Sequence, residues 1–460
     1  MSNIINKLHS ATPRLKRFLE SRMYPPMVAL IVAAGHISGL EFYFNIVLLL
    51  SVICVLLLCD SSLPLITPFV CFLYQIPLKH TPGIPTFSSY YFEGARLVIL
   101  IALAFITLAS MAYRLAVNIR ARSGVRDPML LPMAAMTFAF LLNGVFSPEW
   151  TPASLLLGFV ETAAFVFVFY LFLFGLKNKS ADEMLDSLCY ATLCISFVLV
   201  AEMANMFISY DGIIEGGAIV KDKVNLGWGI WNPVGFSLTV LIPILVYGAM
   251  RMKYPAVYLA AAMATYISSL LTSSRNAVIF STLAIAVSFL IGCFAGERKK
   301  LFRIATIVVI LAIFTVGVLL YDRIAELFAK LIEQGISDNG RFVLWEKGIE
   351  NFLSSPIFGT GFFGYGETEV FESASFIPTM AHNTAVQLIS SMGTVGAIAY
   401  IYYRICSLKP LWKKPSIQML MLYSPLFILM GMSIFDNFVF YVYTTFYAHI
   451  ALAIAHSIDE

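Results

Sequence analysis

Apolar residues run along this chain in long unbroken stretches, separated by short charged or Pro/Gly-containing breaks. Such runs lie near 24–40, 42–59, 62–78, 95–113, 128–147, 153–176 and 185–209, and again near 226–250, 254–272, 275–295, 301–320, 383–403, 416–434 and 438–456. A helix of roughly 20 apolar residues crosses a hydrocarbon core of about 30 Å with every backbone group satisfied internally. The alternation that a membrane β-barrel requires is absent. The pattern therefore predicts an all-α, polytopic helical membrane protein. The first and third runs are short and broken by Pro or Gly, so about 12 to 14 transmembrane helices are expected.

One interval departs from this pattern. Residues 321–381 stay out of the membrane for 61 residues between the eleventh and twelfth runs. Within it, Ile324, Leu327, Phe328, Leu331 and Ile332 form one helical stripe closed by Gly335. After Ser337-Asp338-Asn339-Gly340, a second amphipathic helix carries Phe342, Trp345, Ile349 and Phe352 and stops before Pro356. Both helices are expected to lie on the outer membrane surface or to cap the bundle. The chain thus divides into a basic cytoplasmic interfacial segment (1–23), transmembrane helices 1–11 (24–320), a large extracytoplasmic helical loop (321–381) and C-terminal transmembrane helices (382–460). No internal repeat is evident, and residues 1–23 do not read as a cleaved signal.

Composition sharpens the class. Charged residues make up 12% of the chain and hydrophobic residues 59%, about half the charge of an ordinary soluble domain. A soluble globule is excluded. The net charge of +3 gives no ground for a nucleic-acid partner; the lipid bilayer is the partner that composition implies. Basic residues resist translocation. With the N-terminus in the cytoplasm, 21 of the 30 Lys and Arg fall on the inner side and nine on the outer, which sets the orientation. All seven cysteines lie in or beside apolar runs without CxxC or ligand spacing, and read as buried thiols.

Charges within or at the edge of a membrane are costly, and so are candidates for function. Arg275 opens the tenth run within Leu271-Thr272-Ser273-Ser274-Arg275-Asn276, where hydroxyls and an amide suit an anion pocket. Glu161 and Glu202 sit in the outer halves of the sixth and seventh runs, as functional groups or as structural hydrogen-bond partners, and Asp436 marks the last outer turn. Arg341 begins the second amphipathic helix, whose free N–H groups also favour an anion. His382, in Ala381-His382-Asn383-Thr384, stands where the twelfth run begins. Guanidinium forks grip phosphate bidentately and stabilise its charge as it leaves. A neutral imidazole accepts a proton from an attacking hydroxyl. Together they suit group transfer from a phosphorylated lipid. There is no DxD-like carboxylate pair or HExxH, so a mechanism with no metal and no cofactor is the simpler reading. Gly359-Thr360-Gly361-Phe362-Phe363-Gly364 fits GxGxxG, yet no strand precedes it. It reads instead as a tight glycine turn near Tyr365 and Glu367, one wall of an acceptor groove.

Three segments carry a resemblance. Arg341-Phe342-Val343-Leu344-Trp345-Glu346-Lys347-Gly348-Ile349, then Pro356-Ile357-Phe358-Gly359-Thr360-Gly361, then His382-Asn383-Thr384-Ala385-Val386-Gln387-Leu388 with Gly393 and Gly396 resemble the signature of the O-antigen ligase and Wzy-type polymerase superfamily. The specific match covers about residues 338–396. Arg275 resembles that family's arginine ahead of the large loop, with Ile279 in place of a leucine. The resemblance implies a GT-C-like glycosyltransferase of the bacterial inner membrane, active on the extracytoplasmic side. It implies an undecaprenyl-diphosphate-linked glycan as donor and a glycan or lipid A core as acceptor, with inverting, metal-independent transfer. By the same resemblance Arg275 and Arg341 bind the donor pyrophosphate and His382 activates the acceptor hydroxyl. Asn383, Trp345, Tyr365, Glu202 and Glu161 are supporting candidates. Polymerase is favoured over ligase, since the two share one reaction and differ in acceptor. A flippase is the third reading, disfavoured by the large outer loop because a flippase concentrates its polar residues in a cavity within the membrane.

Overall fold

The computed structural model describes residues 12–75, 94–121, 127–148, 150–176, 179–215, 218–319, 340–364 and 381–459. Each of the fourteen apolar runs carries helix. After a short α1 (Pro13–Leu19) come α2 (Tyr24–Ser38), α3 (Glu41–Leu58), α4 (Ile66–Leu73), α5 (Gly94–Ala121), α6 (Leu130–Leu141) and α7 (Pro152–Thr162), the last continuing through a π segment into α8 (Val168–Gly175). Then follow α9 (Ala181–Ser209), α10 (Trp231–Thr239), α11 (Ile242–Arg251), α12 (Pro255–Leu271), α13 (Arg275–Phe294) and α14 (Lys299–Leu319). The loop helix α15 (Arg341–Ser354) precedes α16 (Thr384–Ser407), α17 (Lys409–Lys413), α18 (Ile417–Met432) and α19 (Val442–Asp459). Seven helical segments are long and apolar enough to cross a membrane, and five more are apolar but shorter. Among the described residues strand is confined to a two-stranded hairpin, β1 (Ile214–Glu215) with β2 (Ala218–Ile219). The chain is a multi-pass helical membrane protein.

Local signals set the boundaries. Ser180 and Glu183 form a capping box that starts α9, and proline opens α7, α11 and α12, where its missing N–H costs nothing. The segment from Pro233 to Met250 is buried at the centre of the bundle. It sits close against α13, since a Cβ on Gly235 would come within 2.5 Å of Ala277 Cβ. Lipid is as apolar as leucine, so close packing and hydroxyl pairs hold such helices together. Ser196–Thr265 at 2.6 Å and Thr239–Ser269 at 3.2 Å are two of these pairs. Six of the seven cysteines are buried free thiols, and Cys54 is half-buried.

The bundle has two chemically different ends. At one, Arg251 pairs with Asp182 at 3.0 Å and Asp186 at 2.6 Å, and Lys413 and Lys414 each lie 3.4 Å from Asp459. The other end gathers the turns after α6, α9, α12 and α18 together with α15 and the start of α16.

The predicted glycine turn has a structural role there. Helix α16 is broken at Gly393 (φ 61°, ψ −156°), and the segment Pro356–Gly361 binds the backbone groups around the break. Thr360 N and Gly361 N donate to the carbonyls of Ser390 (2.8 Å) and Ser391 (3.0 Å), while Thr394 N and Val395 N donate to Pro356 (2.8 Å) and Ile357 (3.1 Å). From the other side Gly144 N donates to Phe358 O at 2.8 Å. A Cβ on Gly359 (φ +70°) would stand 2.3 Å from the carbonyl carbon of Ser391. Backbone therefore meets backbone, and the GxGxxG spacing records that weld. Gly359→Ala is expected to cost about 2 to 4 kcal/mol from combined strain and overpacking. Thermal unfolding of the purified protein in detergent checks this, and an unchanged midpoint would refute the weld.

Helix α15 runs over the expected residues, but its faces differ from the predicted stripe. Gly348 and Asn351 are its buried positions, Trp345 and Phe352 are half-buried, and Phe342 and Ile349 are exposed together with Val343 and Leu353. Spacing gives an amphipathic face, while the side that meets protein is chosen by Asn351, whose amide donates to Gly364 O at 2.7 Å. The first amphipathic helix, with Ile324 to Gly335, lies outside the described residues.

Candidate active site

His382 is held between two anchors. On its N-terminal side, Ala381 N donates to Gln387 Oε1 at 2.8 Å, and Ala381 O accepts from Trp345 Nε1 at 2.9 Å. On its C-terminal side, Asn383 caps α16, its Oδ1 accepting from Ala385 N (2.9 Å) and Val386 N (3.1 Å). The same Asn383 donates through Nδ2 to Ile434 O at 3.0 Å, and Thr384 N donates to Ser433 O at 2.9 Å. These bonds staple the start of α16 to the turn after α18. Between the anchors His382 takes a left-handed conformation, φ +49°. Among the described residues the only other non-glycine positive φ belongs to Ser273 (+54°), two residues before Arg275. Strained backbone of this kind collects at functional sites.

The turn after α18 supplies the partner of the imidazole. His382 Nδ1 lies 3.1 Å from Asp436 Oδ1. Asp436 is 2% exposed, and the His382 side chain is 43% exposed. The carboxylate also accepts from Asn437 N at 2.9 Å and from Asn232 Nδ2 at 2.9 Å. A buried carboxylate on Nδ1 fixes the tautomer with its proton there, leaving Nε2 as the acceptor nitrogen.

Asn232 carries the network onward. Its Oδ1 accepts from Ser274 Oγ at 2.7 Å, and Ser274 is the N-cap of α13, the helix that Arg275 begins. Asn276 Nδ2 ties the same turn to Met432 O at 2.9 Å. Arg341 begins α15 behind Gly340, which has φ +76°. One helical turn on, Trp345 holds the residue before His382. Lys221, in the turn after β2, is half-buried with its ammonium 5.0 Å from the Trp231 ring centroid. Burial lowers its pKa, Arg275 lowers it further, Asp222 opposes, Arg341 lowers it and Asp436 raises it. The charges of Arg275, Arg341 and Asp436 thus converge on one neighbourhood. Among the described residues no carboxylate pairs with Arg275, Arg341 or Lys221 in an ion pair.

The structure thus brings together Arg275, Arg341, His382, Asn383 and Trp345. Glu202 is used differently. Its Oε2 accepts from Trp228 Nε1 at 2.9 Å, and the indole packs on Tyr74 with ring centroids 4.6 Å apart. That carboxylate anchors the loop after α9. Glu161 is fully buried in α7, and neither of its oxygens has a hydrogen-bond partner among the described residues. Tyr365 and Glu367 lie outside the described residues. The sequence marks Asp436 as a membrane-edge charge without a role, and does not single out Asn232 or Lys221. Lys221 carries one signal, its place among the nine basic residues on the outer side.

Fold and site together define a multi-pass membrane protein with a histidine–carboxylate pair on one rim, beside cations that have no ion-pair partner among the described residues. Residues 259–401 match the family model described as O-Antigen ligase. The segment that holds Arg275, Arg341 and His382 thus matches the O-antigen ligase superfamily that its motifs resemble, which supports an enzyme of the glycosyltransferase-like ligase and polymerase kind at the general level. Comparison with curated proteins returns no match.

Proposed function

We propose that this protein is a GT-C-like membrane glycosyltransferase with twelve to fourteen crossings. It polymerises undecaprenyl-diphosphate-linked oligosaccharide units of a bacterial surface polysaccharide at the outer face of the inner membrane. The observation that carries the reading is the His382–Asp436 pair at 3.1 Å beside two arginines that have no ion-pair partner among the described residues. His382 Nε2 takes the proton of an acceptor hydroxyl as its oxygen attacks the anomeric carbon. The bond from that carbon to the diphosphate oxygen breaks, and its electron pair leaves with the lipid diphosphate. Arg275 and Arg341 stabilise the charge that develops there, a role that needs no metal ion. A single displacement of this kind inverts the anomeric centre. The basic cluster of Arg251, Lys413 and Lys414 at the opposite end supports the orientation, because that end is cytoplasmic by the positive-inside rule.

The description of the matching family favours a second reading, a ligase that moves the finished glycan to lipid A core or another surface acceptor. Reconstitution with a synthetic undecaprenyl-diphosphate oligosaccharide separates the two. A ladder from that substrate alone identifies a polymerase, and transfer only after a second acceptor is added identifies a ligase. Absence of any new glycosidic bond in both assays would overturn both readings.

A further inference from the structure

We propose that Lys221 is a third phosphate-binding group of this site, supplied by the loop between α9 and α10; this rests on the diphosphate-donor reading above. Lys221 lies outside residues 259–401, so the family match says nothing of it. Its neighbours assign it to the site. The ammonium lies over Trp231, at 5.0 Å from the ring centroid. The residue after that tryptophan, Asn232, hydrogen-bonds both Asp436 and the N-cap of the Arg275 helix, at 2.9 and 2.7 Å. Trp231 and Asn232, both half-buried, begin the helix that leads into the buried centre of the bundle, so the platform beneath Lys221 is anchored there.

The two lysines of this turn differ in their surroundings. Lys223 pairs with Glu215 at 2.7 Å, which satisfies its charge within the hairpin. Lys221, two residues earlier, has no ion pair among the described residues and faces two further cations, Arg275 and Arg341. The like charges of Lys221, Arg275 and Arg341 repel one another; Asp222 and Asp436 offset part of this, but neither forms an ion pair with any of the three among the described residues. An anionic ligand carrying more than one negative charge relieves that repulsion. A diphosphate fits, with guanidinium forks on its oxygens and a compact ammonium as a point charge. The diphosphate is the same whichever acceptor receives the glycan, so Lys221 is expected to act on donor affinity in a polymerase and in a ligase alike.

The test titrates undecaprenyl diphosphate into the full-length protein in nanodiscs. Lys221→Met keeps an apolar stem against Trp231 and removes the charge. It is expected to raise Kd about tenfold, the worth of one charge-assisted contact. Lys221→Arg is expected to restore most of the affinity, and Lys223→Met to leave it unchanged. Wild-type affinity in Lys221→Met alongside lost binding in Arg341→Gln would overturn the role of Lys221 and leave the diphosphate reading standing. Wild-type affinity in both would overturn both. A second measurement needs no variant: undecaprenyl diphosphate is expected to protect Lys221, but not Lys223, from an amine-reactive reagent in the native protein, read by mass spectrometry. Equal labelling of Lys221 with and without the lipid would overturn the inference.

Discussion

His382→Ala is expected to abolish glycan transfer while the protein still binds its lipid-linked donor. General-base assistance contributes on the order of 10²- to 10⁴-fold to rate, and in this arrangement neither C-terminal imidazole replaces it: His449 is fully buried, bonded to Tyr403 at 2.7 Å, and His456 is buried against Ser407 O. In the proposed mechanism donor affinity comes from Arg275 and Arg341, so kcat is expected to fall while Kd for the donor is not expected to rise. Asp436→Asn is the companion variant. It keeps the shape of the turn but loses the carboxylate that fixes the imidazole tautomer, and its kcat is expected to drop on the order of 10²-fold with little change in KM. Asp436 is a positioning residue, so the split between kcat and KM is the informative readout. Substantial turnover in His382→Ala, or donor binding that falls in step with the rate, would remove His382 from the role of base.

The second large effect is expected at the arginines. Arg275→Lys and Arg341→Lys keep a positive charge and should leave insertion and folding intact, since neither side chain makes a hydrogen bond or ion pair to the described residues. An ammonium cannot reproduce the planar fork on phosphate oxygens. Loss of one preorganised donor to a developing anion lowers turnover by about 10²- to 10³-fold. Steady-state kcat/KM on a synthetic donor checks each variant separately. Near-normal turnover in either would make that arginine a structural residue of its helix start.

These two experiments bear on groups that stand far apart in the chain, and their distance explains what could be read in advance. Arg341, His382 and Asn383 were legible because each sits at a helix start with its own short-range signature, Gly340 before one helix and the Asn383 cap before the other. Glu202 met the same membrane-edge criterion, as a functional group or as a structural hydrogen-bond partner, and its carboxylate accepts from Trp228. A costly buried charge announces that it needs a partner and does not name it.

The sequence by itself determined where helix forms and the class of membrane protein. Burial in lipid is a property of local composition, and capping and breaking are decided within a few residues. Tertiary structure alone decided three things. It paired His382 with Asp436, 54 residues away. It turned a nucleotide-like glycine motif into the weld at the break of α16. It also set Lys221 over Trp231, beside the Asn232 that bonds Asp436 and the N-cap of the Arg275 helix. Each arises from contacts between residues distant in the chain, which no local pattern of apolar and polar residues encodes.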